Sequence, residues 1–124
     1  MRFILTVFFI YITALGFCQE AVFSVDDASH KFSKTHEGQV LEHTFMVKNT
    51  GSAPLIISGY LVECGCTKVF FSPDPVLPNE TTRVRVTFDT EGKAFFQDRV
   101  ILLNTNTRRK TEKLRIKVNV IPHD

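Results

Sequence analysis

Cys64 and Cys66, with Gly65 between them and Glu63 and Thr67 on either side, are the residues of this 124-residue chain whose type and spacing best suit chemistry. Two thiols one residue apart can close a tight disulfide, clamp a soft ion such as Cu(I), or shape a turn. As a staple the bond would contribute little, because a three-residue loop is worth only about 1.6 kcal/mol in the chain-entropy account. Strain in so small a ring raises the reduction potential, which suits a thiol redox pair. Gly65 favours closure, since a residue without Cβ lets the two sulfurs turn toward each other. A structural zinc site wants four ligands, and no second cysteine pair is present. Cys64 and Cys66 therefore stand as candidate redox or metal-binding residues.

Other constellations are thin. Ser, His and Asp occur, but no Gly-x-Ser-x-Gly elbow, phosphate-cradling glycine loop or His-Glu-x-x-His pattern does. Outside the cysteine pair no catalytic residue is expected, and no cofactor.

The third cysteine, Cys18, closes a different kind of segment. Met1-Arg2 precedes a charge-free apolar run from Phe3 to Phe17, the pattern of a secretory signal, and the run is short for a membrane span. Cleavage after Cys18 places the small residues Gly16 and Cys18 where signal peptidase wants them. A lipidated Cys18 would need a small residue before it and has Phe17. The expected organisation is a signal over residues 1–18 and one domain over 19–124. The expected location is the periplasm, the cell envelope or the exterior, with membrane contact only through an uncleaved signal or a lipidated Cys18. An oxidising compartment would let Cys64 and Cys66 pair.

Charge narrows the partners. Loss of residues 1–18 removes one basic residue, Arg2, from 15 Lys and Arg, and none of the 13 Asp and Glu. A nearly neutral domain carries no strong field for nucleic acid, and Arg108-Arg109-Lys110 reads as a solvated hairpin tip.

The rest of the chain must position the cysteines, and its periodicity is that of strands. Turn signals recur every eight to twelve residues with alternating runs between them. Strands are expected over 21–25, 40–48, 55–62, 67–71, 83–89, 95–103 and 114–120. In the second of these Leu41, His43, Phe45 and Val47 share the inward face, which makes His43 a core-edge histidine held by one hydrogen bond. Phe32 reads as a core plug, and Gly59 marks a bulge or a close backbone approach. Asn49 to Pro54 is a turn segment, since Asn and Gly tolerate positive φ and Pro54 fixes the exit direction. Ser72 to Glu80, with Pro73, Pro75 and Pro78, is a crossing loop. About seven antiparallel strands make a single all-β, immunoglobulin-like sandwich. The lack of Trp and of a sheet-bridging cysteine pair excludes the antibody type.

Phe45-Met46-Val47-Lys48-Asn49-Thr50-Gly51, Pro54-Leu55-Ile56-Ile57, Cys64-Gly65-Cys66-Thr67, Leu77-Pro78-Asn79-Glu80 and Val84-Arg85-Val86-Thr87-Phe88-Asp89-Thr90, in that order, resemble the bacterial family called domain of unknown function 1573. The resemblance covers roughly Phe32 to Val120. It implies an exported immunoglobulin-like domain, related in fold to chaperone-type and cilia-associated sandwiches, and no established activity. It marks Asn49, Gly51, Gly65, Thr67 and Pro78 as motif residues. Two departures are visible: His30-Lys31-Phe32-Ser33 where the family has Asp-Phe-Gly, and Pro78-Asn79-Glu80 where it has Pro-Gly-Glu. The second keeps its turn, because Asn tolerates the left-handed region.

The resulting expectation is a binding module for a protein or envelope component whose identity the sequence does not supply. The alternative is a thiol redox or soft-metal module acting through Cys64 and Cys66.

Overall fold

The computed structural model describes residues 19–124, and the expected signal over 1–18, with Cys18, lies outside them. Nine strands form two facing sheets, with no helix among the described residues. They are β1 (Phe23–Val25), β2 (Ser29–Lys31), β3 (Thr35–His36), β4 (Val40–Asn49), β5 (Ile57–Val62), β6 (Thr67–Phe70), β7 (Thr81–Asp89), β8 (Phe95–Thr105) and β9 (Thr111–Ile121). Sheet A has the order β1-β4-β7-β6 and sheet B the order β2-β9-β8-β5, with β3 also paired to β9.

Alternation dictates which side chains meet. In sheet A, Phe45 pairs with Val84, and His43, Val86 and Val69 form one row across three strands. Sheet B answers with Ile101, Leu103, Leu114, Ile116, Val118 and Val120, all buried. Two inward faces of β-branched and aromatic residues thus close a dry core, the ordinary stabilisation of a sandwich.

All seven expected strands are present, as β1 and β4–β9. The additional β2 and β3 lie parallel to β9, through Ser29↔Arg115 to Lys31↔Lys117 and Thr35↔Val120 to His36↔Ile121, so the sandwich is not wholly antiparallel. The segment from β1 to β3 leaves sheet A and joins sheet B, lacing one flank. The opposite flank is crossed where β5 of sheet B gives way to β6 of sheet A, through Cys64-Gly65-Cys66.

Three local features depart from regular strand. Leu55, expected to begin β5, instead makes an isolated bridge to Val76 and ties down the proline-rich loop. The register of β5 against β8 slips between Ile57 and Gly59, the bulge that the glycine foretold. Asn79 sits at φ 67°, the left-handed conformation that its turn requires.

Candidate functional site: the Cys-Gly-Cys corner and the sheet edge beside it

The corner begins where β5 stops. The backbone N–H of Thr67 donates to the Cys64 carbonyl at 3.1 Å, closing a turn around Gly65 and Cys66, and the N–H of Asp89 donates to the Cys66 carbonyl at 2.9 Å, fixing the turn to β7. Thr67 itself is buried and pairs with Phe88. Within this turn Cys64 and Cys66 are joined by a disulfide, with Cα atoms 5.2 Å apart, a separation that such a bond spans readily. The N–H of Cys66 also faces Cys64 Sγ at 3.2 Å.

Gly65 lies in the turn between the two cysteines. Beyond these two neighbours, a Cβ built on it meets nothing within 4 Å, and its φ is not positive. A shallow recess of about 230 Å³ lies against the corner, lined by Val40, Gly65, Cys66, Lys68, Thr87 and Asp89. It is smaller than the usual small-molecule site.

The corner has a second effect, on β8. That strand pairs with β9 from Phe95 to Asn104, whereas β5 covers its other side only from Ile101 to Thr105. Among the described residues no strand pairs with the β5 side of Phe95–Val100. On that stretch Phe96, Asp98 and Val100 share the outward face, where Asp98 meets Arg115 at 3.4 Å. Arg99 has the parity of buried Ile101 and Leu103 and points between the sheets, its Cζ 5.7 Å from the Phe88 ring centroid. Arg99 Nη2 donates to Gln97 Oε1 at 2.6 Å, while the buried Nε–H has no acceptor. No carboxylate among the described residues forms an ion pair with it. Arg99 was not anticipated, although the inward parity of Ile101 and Leu103 carried back two residues finds it.

The remaining motif residues are brought together elsewhere, around Asn49. Its side chain is fully buried: Nδ2 donates to the carbonyls of Ala53 and Val76, each at 2.8 Å, and Oδ1 accepts from the N–H of Gly51 at 2.9 Å and of Val22 at 3.3 Å. A Cβ on Gly51 would collide with the backbone of Glu20–Val22, at 2.6 Å from the Val22 nitrogen, so this glycine is demanded by close approach rather than by positive φ. Pro78 precedes Asn79, whose N–H donates to the Asn49 carbonyl at 2.7 Å. Asn49, Gly51 and Pro78 thus belong to one structural knot.

Two further clusters were only partly anticipated. His43, expected at the core edge with one hydrogen bond, is held instead by rings: His30 stacks on it with centroids 3.6 Å apart and planes 8° from parallel, and Phe45 meets it edge-on at 4.7 Å. Burial, then the neighbouring His30, hold the His43 imidazole below its ordinary range, against a lesser upward pull from Asp27. Nothing in the alternation of β4 reveals His30, which lies on a three-residue parallel strand. At the far end of the domain Glu37 Oε1 accepts from the N–H of His123 and Oε2 from the N–H of Gly92, each at 3.1 Å, which holds the Glu37 carboxyl below its usual range. Ligand atoms of Glu37, Glu91 and His123 lie within 4.8 Å of one another, and the backbone bonds of Glu37 make the group a clasp between loops.

The family model described as protein of unknown function (DUF1573) matches residues 23–120. No curated protein matches the chain. Among solved structures, a protein of unknown function from Porphyromonas gingivalis W83 superposes with a TM-score of 0.71 at 16% identity, over 88% of this chain and 51% of that one, so the chain spans about half the length of this neighbour. The ASH/PapD-like domain 7 of human CEP192 gives a TM-score of 0.62 at 12% identity, over 85% of this chain and 89% of that one. The VesB protease of Vibrio cholerae gives 0.61 at 12% identity, over 80% of this chain and 31% of that one. At such identities the likeness is one of fold, an immunoglobulin-like and PapD-like sandwich.

Proposed function

The chain belongs to the DUF1573 family, and from that premise we propose that it is a non-enzymatic interaction module, exported to the bacterial envelope or beyond, that offers the flank beside the Cys-Gly-Cys corner to a protein partner. The observation that carries this reading is where large apolar side chains are left outdoors. Phe95 and Phe96, at the start of β8, are 68% and 57% exposed, and Leu61, which pairs with Leu102 further along the same strand, is 64% exposed. Large apolar side chains left exposed along one rigid flank mark a surface that another molecule covers.

The closed Cys64–Cys66 bond supports a corner-fixing role within this reading. A soft-metal role would need both sulfurs freed, whereas a redox role would cycle between this bond and the dithiol.

Site-directed photo-crosslinking in the native host tests the reading. A crosslinker at Leu61 or Phe96 should yield discrete protein adducts that the same group at Lys48, on the outer face of sheet A, does not. Equal labelling from all three positions would sink it.

A further inference from the structure

We propose that the open edge of β8, Phe95–Val100, is a docking site for an extended segment of a partner protein that lies antiparallel to β8, in line with β5, and carries a carboxylate opposite Arg99. This inference rests on the interaction-module reading and assigns it a place and a chemistry.

The vacancy is made by the fold. β5 pairs Val62 with Ile101, and had it run on in register Cys64 would lie opposite Arg99. The turn that places the Thr67 N–H on the Cys64 carbonyl takes the chain to sheet A instead. Over Phe96–Val100 alternate residues of β8 turn their backbone donors and acceptors away from β9, a template for one more strand.

Among the other edges, β5 carries a bulge in its pairing with β8, β1 and β2 are three residues long, and β4 is uncovered on the β1 side over Val40–Met46 but has inward Leu41, His43 and Phe45 there, with no guanidinium to select a partner. β6 is four residues long, and its exposed Phe70 is covered by Arg85, whose Cζ lies 4.3 Å from the ring centroid. Phe96–Val100 has no Lys, Pro or bulge, and Phe95 before it turns the chain with φ 64°. Its guard is Arg99, an inward-pointing charge.

An inward charge on an edge does two things at once. It rejects an apolar strand, which would desolvate the guanidinium without pairing it. It admits a strand whose inward residue is Asp or Glu, because Arg99 is short of acceptors: one bond to Gln97, an orphaned Nε–H, and no ion-pair partner among the described residues. On the outward face the added strand would lie beside exposed Phe96 and half-buried Val100, which favour apolar residues at the alternate positions. The partner segment therefore alternates apolar outward with polar inward, with one carboxylate inward at its centre.

The test titrates the isotopically labelled protein with two seven-residue peptides of alternating valine and threonine, one with aspartate and one with asparagine as the central inward residue, followed by amide shifts and hydrogen exchange. The aspartate peptide should move and protect amides of Phe95–Val100 and bind at least tenfold more tightly than the asparagine peptide. Arg99→Met, which removes the orphaned donor and keeps the stem packed, should fold and bring that ratio to about one. Equal binding of both peptides by the native protein, or silence of both to millimolar concentration, overturns the proposal, the latter making Arg99 an edge guard only. Shifts confined to β5 or β6 also overturn it while leaving the interaction module standing. That broader reading fails separately, on the crosslinks from Leu61 and Phe96.

Discussion

The side-chain amide of Asn49, at the end of β4, donates to the carbonyl of Val76 in the proline-rich loop at 2.8 Å. With its bonds to Ala53, Gly51 and Val22 it makes one buried side chain the meeting point of three chain segments. Asn49→Ala would leave several of these backbone groups without partners in a site closed to water. Its expected cost is about 3 kcal/mol, since each orphaned group is worth roughly 1–3 kcal/mol. Asn49→Asp should cost at least as much, because it loses both donors and brings a charge indoors. Urea denaturation measures both, and a loss under 1 kcal/mol for either would deny the knot its importance.

The two motif glycines should behave oppositely. Gly51→Ala pushes a methyl into the Glu20–Val22 backbone, and overpacking of this kind costs about 1–3 kcal/mol or releases the N-terminal segment. Gly65→Ala enters open space and should change stability by no more than about 0.5 kcal/mol. Thermal melts of the pair decide, and similar losses at both positions would contradict the geometry.

The histidine stack gives stability a pH dependence of known sign. The His43 pKa is lowered in the folded state, so the native protein binds fewer protons than the unfolded chain near pH 6. Stability from this site is complete above the unfolded value of 6.5 and is lost as pH falls through the folded one. The melting temperature should therefore drop between about pH 7.5 and pH 5. His43→Gln should flatten that drop. An unchanged slope in the variant would place the effect elsewhere.

For Glu37 the window is lower. Its folded pKa lies below the ordinary 4.5, so the clasp on the Gly92 and His123 amides is intact above that value and opens as pH falls through the folded one. Amide exchange at Gly92 and His123 should rise in that range, and Glu37→Gln should remove the change.

The corner disulfide should matter little to global stability. Replacing Cys64 and Cys66 by Ser should cost at most a couple of kcal/mol, because the closed loop is so short. A loss well above that would mean the corner holds more of the fold than its own loop. Equilibration in glutathione buffers, followed by alkylation and intact mass, addresses the alternative chemistry. A reversible couple near −200 mV, with reduction of a client disulfide by the native protein and not by the Ser variant, would establish a redox module.

Much of this molecule is legible in its residues, and the illegible parts share a cause. Leu41, His43, Phe45 and Val47 alternate cleanly, so β4 and its inward face can be read directly, as can β7 and β9. β2 and β3 cannot, because strands of three and two residues contain no period to detect and their parallel partner lies at the other end of the domain. His30 goes unseen for the same reason.

The lacing of β2 and β3 onto β9 also sets an order of events. Ser29 and Thr35 find their partners, Arg115 and Val120, only on the final strand, so a chain made from its N-terminus must leave this segment waiting until nearly all of the domain exists. Contacts between distant parts of a chain form slowly, because the intervening loop must first close. Until then Phe32 and His30 lack the β9 neighbours against which they settle, and β9 carries an unpaired side. The flank is a late-fastening seam.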